Sequence, residues 1–148
     1  MDPRSAETFL TAEERVRLRE AIAQAERMTS GEIRVHLEDH CEDDLMDHAA
    51  FMFDELGMIR TKDRNGVLLY VSVADRRVAI IGDAGIHVRV GEGFWQDVLD
   101  LMRGHFREGH YAQGLIDGVE RAGEKLREHF PFQRDDRNEL SNEISIDR

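Results

Sequence analysis

"GVLLYVSVADRRVAIIGDAG", Gly66 to Gly85, is the stretch whose reading decides the fold. Val67 to Val73 is a near-continuous apolar run of strand length, the mark of a central strand covered on both faces. Ala74-Asp75-Arg76 makes a tight turn, and Arg77 to Asp83 returns as the next strand of a hairpin. Polar residues bracket the pair. Arg64 and Asn65 precede the first strand, and Asp83 and His87 follow the second. They are either turn chemistry or a site.

Moving upstream, "EIRVHLE", Glu32 to Glu38, alternates apolar and polar residues and predicts a half-buried strand. Between the two strands, Leu45, Ala49, Met52, Phe53 and Leu56 recur at helical spacing, predicting a helix from about Glu42 to Met58. That makes a βαβ unit with parallel strands and a right-handed crossover. Further upstream, Thr11 and Glu14 form a capping box, and Leu18, Ile22, Ala25 and Met28 share one helical stripe.

Downstream, Phe94, Val98, Leu101, Met102 and His105 mark one helix; Tyr111, Leu115, Val119, Ala122, Leu126 and Phe130 mark another, stopped by Pro131. The order αβαββαα, with helices covering both faces, predicts an α/β fold: a three-layer α/β/α sandwich with a small mixed β-sheet. The expected divisions are an N-terminal extension at 1–9, a domain at 10–131 and an acidic tail at 132–148. The tail is expected to be loose or docked through Leu140 and Ile144 only.

The chain has 148 residues, 41% hydrophobic and 34% charged, which suits one soluble domain. A net charge of -11 argues against nucleic-acid binding, which needs a basic footprint. The single cysteine, Cys41, excludes an internal disulfide and a thiolate zinc cluster. No apolar run approaches the roughly 20 residues that span a bilayer, and the first residues lack a signal-peptide pattern. The expectation is a cytoplasmic chain without membrane insertion or an organic cofactor.

The topology gathers two rims. Strands 1 and 2 begin, and strand 3 ends, at a rim that collects Glu32, Arg64, Asn65, Asp83 and His87. Asp83, Asn65 and Glu32 are candidate metal ligands there; Asp83, His87 and Arg64 are the catalytic candidates. The opposite rim collects a rival metal cluster, Glu38, Asp39, Asp43, Asp44 and Asp75. Glu38 to Glu55 holds eight acidic residues and no Lys or Arg, a composition suited to a hard cation. Helix-dipole stabilisation also explains acidic residues at the start of that helix. His36 and His40 lie in a strand and a loop, where a spacing of four does not place them on one face. Asp44 and His48 are four apart on the helix and offer two metal ligands. His105 sits on an apolar stripe as a core histidine.

Several motifs together resemble the TPM domain family: Gly31-Glu32-Ile33; Asn65-Gly66-Val67-Leu68-Leu69 with Asp75-Arg76-Arg77; and Gly109-His110-Tyr111-Ala112-Gln113-Gly114-Leu115. The tail's "NELSNEIS" is similar to that of a short, single-domain bacterial branch. The resemblance implies an α/β/α sandwich and divalent-cation binding, calcium in particular. A plant member is linked to photosystem repair and described as an acid phosphatase; an animal member acts beside an acetylcholine receptor without implied catalysis. Many members carry a leader, a C-terminal membrane helix and Gly-x-Gly-Leu-Glu after strand 3. Here Asp83-Ala84-Gly85-Ile86-His87 stands at that position, so an acid is gained and His replaces Glu.

Three readings follow. One is a domain binding calcium or magnesium and acting through an unknown protein partner with little catalysis. Another is a metal-assisted acid phosphatase, a phosphoric monoester hydrolase. The last is a purely structural or assembly module.

Overall fold

The computed structural model describes residues 5–132 and 144–147. Its first helix, α1 (Ala12–Glu26), starts at the expected capping box. Thr11 Oγ1 accepts from the Glu14 amide at 3.1 Å, and Glu14 Oε1 accepts from the Thr11 amide at 2.9 Å. Leu18 and Ile22 are buried, but Met28 is exposed because the helix ends at Glu26.

Strands β1 (Glu32–Glu38) and β2 (Gly66–Ser72) are parallel, in register from Glu32 opposite Gly66 to Glu38 opposite Ser72. Strand β3 (Arg77–Gly82) returns antiparallel to β2, as the hairpin reading requires. The crossover helix α2 (Leu45–Glu55) is shorter than expected. Asp44 fixes its start by accepting the Asp47 amide at 3.1 Å. Gly57, at φ 73°, turns the chain out of it into a 3-10 turn at Met58–Arg60.

The second half holds α3 (Ala84–Arg107) and α4 (Tyr111–His129). Helices α1, α3 and α4 pack with Ile33, Val35, Leu37, Leu69 and Ile80 on one side of the sheet. On the other side α2 packs with Leu68, Tyr70 and Ala79. This is the three-layer sandwich. No helix among the described residues is long and apolar enough to cross a membrane.

Four features differ from the sequence reading. First, the tail contributes a strand, β4 (Ser145–Asp147), parallel to β1, which gives the sheet order β3-β2-β1-β4. Ile144 and Ile146 pack against the larger core, while Leu140 lies outside the described residues. A pairing this short has no periodicity for a sequence to display. Second, Ala6 and Phe9 enter the larger core, so the chain before residue 10 takes part in it.

Third, β1 is buried on both faces. His36 is 1% exposed and Glu38 7%, because α2 covers their face and β4 pairs along the edge. Fourth, α3 starts directly after Asp83 and kinks at Gly91 (φ 73°, ψ 173°). Gly85 therefore belongs to a helix. A Cβ there would lie 2.1 Å from Asp63 O. The backbone that Gly85 admits is the chain's own.

Candidate functional site

At the first rim the hairpin brings Asp83 to Gly66, whose oxygen accepts the Asp83 amide at 2.9 Å. The Glu32 amide reaches Asn65 O at 3.4 Å. Arg64 grips Asp83 with two bonds, Nε to Oδ2 at 2.7 Å and Nη2 to Oδ1 at 2.8 Å. Oδ1 also accepts the Ala84 amide at 2.7 Å, making Asp83 the cap of α3. Both carboxylate oxygens are thus engaged. His87 is half-buried and lines a different space, a cleft of about 550 Å³ beside β3 with Arg77, Glu92 and Trp95.

Deeper in this rim, the Asn65 amide donates to Thr61 Oγ1 at 3.1 Å and its Nδ2 to Ser30 Oγ at 3.4 Å. Its buried Oδ1 accepts no hydrogen bond among the described residues. Glu32 is buried beside Glu26. Burial first, then the bond to Glu32 and its charge, push the Glu26 carboxyl up to about 9. The Ile33 amide, 2.8 Å from Glu26 Oε2, works weakly against that. Neutral pH therefore leaves a proton on this pair. Glu26 gives no signal in the sequence because it closes α1, where a carboxylate reads as solvated surface.

The second rim disperses most of its acids. Asp39 Oδ1 accepts the Ala6 amide at 2.7 Å. Asp75 accepts the Cys41 amide at 2.9 Å, Ser72 Oγ at 2.6 Å and His40 Nδ1 at 2.9 Å. The Cys41 amide above all, then Ser72, hold its carboxyl below the usual range. Asp44 caps α2, and Asp43 faces solvent, 3.8 Å from His48 Nδ1.

Glu38 is the exception. It stands two residues from His36 on β1, so both side chains leave the same face. The register sets Asp147 of β4 directly opposite Glu38. One ligand atom from each of His36, Glu38 and Asp147 lies within 4.8 Å of the others. From α2, His48 Nε2 comes to 2.8 Å from Glu38 Oε2, the oxygen that also accepts from Tyr70 OH. His36 Nδ1 is 2.9 Å from Ser145 Oγ, and its Nε2 is 3.5 Å from Glu38 Oε1. Burial lowers the His36 pKa, against the upward pull of Glu38 and Asp147. A neutral imidazole offers one nitrogen lone pair, and a bond to Ser145 through Nδ1 orients the other nitrogen into the cluster.

Paired with His40, His36 gives no ligand signal in the sequence. The i, i+2 relation to Glu38 was the available signal. Asp147 carried none, because its place depends on β4 finding β1.

A sequence model of the TPM domain matches residues 4–125. The chain belongs to the TPM domain family. A solution structure of the BA42 protein from the psychrophilic bacterium Bizionia argentinensis is similar over 95% of this chain and 97% of that one. Its identity is 47% and its TM-score 0.88. The N-terminal domain of a protein from P. gingivalis is 25% identical, with a TM-score of 0.69, over 86% of this chain and 84% of that one. No curated protein matched. In this TPM domain the described groups arranged as a metal could use them lie on β1 and β4. That rim belongs to the rival cluster, and of its five acids only Glu38 is among them.

Proposed function

We propose that this TPM domain binds a divalent cation at His36, Glu38 and Asp147, with His48 beside them, and acts through protein partners with little or no catalysis. The convergence of one imidazole and two carboxylates within 4.8 Å carries the reading. Such a donor set fits a metal: all three groups are ordinary ligands, and His36 has its outer nitrogen on Ser145. Calcium prefers about six to eight oxygens. Mixed nitrogen and oxygen donors suit zinc and its first-row neighbours better, so zinc is favoured here over the calcium or magnesium that the family resemblance implies.

Support for a binding role over hydrolysis comes from the surroundings. The phosphatase reading needs Asp83 and Arg64, which bind each other. Clefts of about 580 and 550 Å³ are lined by none of His36, Glu38 and Asp147. Met46 and Phe51 stand exposed on α2 and offer apolar contact to a partner.

Thermal unfolding with zinc, calcium or magnesium tests the reading. A ligand at 100 times its Kd raises apparent stability by about 2.7 kcal/mol. Zinc is expected to raise Tm most. No rise with any of the three would overturn the proposal.

A further inference from the structure

The candidate cluster is split between distant parts of the chain. His36 and Glu38 come from β1 and His48 from α2, but Asp147 comes from β4. Among the described residues this edge strand of three residues pairs only with β1. So short a strand gains little from its ladder. Partial burial of Ile144 and Ile146 holds it, together with the His36–Ser145 bond at 2.9 Å.

One feature opposes docking. Glu38 and Asp147 are direct cross-strand partners. Like charges at directly opposed positions destabilise a strand pair. Glu38 is buried and Asp147 is exposed, so water screens that repulsion only in part. A divalent cation between the two carboxylates reverses the sign of this interaction while adding His36 as a third ligand.

We propose that β4 is a cation-dependent clasp. A zinc-class cation held by His36, Glu38 and Asp147 fastens the C-terminal strand to the outer edge of β1, and its loss weakens that docking. The inference rests on the cation site proposed above and adds its regulation. Its consequence is an exposed edge: with β4 displaced, β1 loses the strand that pairs along it.

Amide hydrogen exchange on the full chain tests the clasp, with added zinc and with a chelator at the same pH. The Asp39 amide, which donates to Asp147 O at 3.2 Å, is the internal probe. Zinc is expected to slow its exchange by about tenfold or more, as for any ligand that closes a local opening. Asp147→Asn separates the causes. Without zinc it should protect the Asp39 amide better than the wild type, because the repulsion is gone, and zinc should then change little.

Calorimetry on the same samples tells two failures apart. Saturable zinc binding with unchanged exchange would overturn the clasp and leave the cation site standing. No zinc binding would overturn both. Weaker protection in metal-free Asp147→Asn would contradict the repulsion on which the clasp depends.

Discussion

At the scale of single residues, the polar groups of the first rim bear on stability. Glu26 holds a proton in the folded state up to about pH 9 against an ordinary value of 4.5. A carboxyl raised in this way contributes stability that is fully present below about pH 4.5 and lost as pH rises through the folded value. Urea unfolding is therefore expected to give lower stability at pH 8.5 than at pH 6, by roughly 2 kcal/mol or more from this group. Glu26→Gln keeps an oxygen for the Ile33 amide and should flatten that slope. Gly85 supplies the second residue-scale prediction. Its missing Cβ leaves room for Asp63 O and Arg64 O, at 2.1 and 2.6 Å from where the carbon would stand. Gly85→Ala must move backbone and should cost about 3 kcal/mol, read as a fall in Tm.

At the scale of elements, caps and turns account for the acids that composition alone suggested as ligands. Asp44 starts α2, Asp83 starts α3, and Asp75 ties the hairpin turn to Cys41 and Ser72. Asp83→Ala separates these roles from cation binding. It removes the cap of α3 and the partner of Arg64, so it should destabilise the fold by about 1–2 kcal/mol. Zinc affinity should stay unchanged, as measured by calorimetry on the folded variant. Elements were also the most legible part of the sequence. The capping box of α1, the apolar run of β2 and the Asp75-Arg76 turn depend on neighbours in the chain, and each stands where its pattern placed it. Arg76 even takes the positive φ, 55°, of a tight turn. β4 depends on Ser145 meeting His36 across more than a hundred residues, which no local pattern encodes. The burial of His36 and Glu38 was hidden for the same reason: alternation along β1 identifies two faces but not what covers each.

At the scale of the whole molecule, crowded carboxyl pairs stand at opposite ends of one strand among the described residues. At the start of β1, Glu32 lies beside Glu26, and a shared proton resolves the repulsion. At the end of β1, Glu38 faces Asp147 with two histidines at hand, and the proposed cation would offset the same repulsion. Calcium at the first rim would have to displace the Glu26 proton, so calcium titration near pH 7 in two weakly interacting buffers would reveal any release. Negligible calcium-linked release is expected.

Zinc calorimetry on the full chain, wild type beside His36→Ala, tests the central claim most directly. One zinc per chain is predicted, with affinity at least about tenfold weaker in the variant, a loss typical of disturbed metal sites. The variant's melting curve without metal must show that it is folded. Absence of zinc binding in the wild type, or equal affinity in the folded variant, would contradict the account.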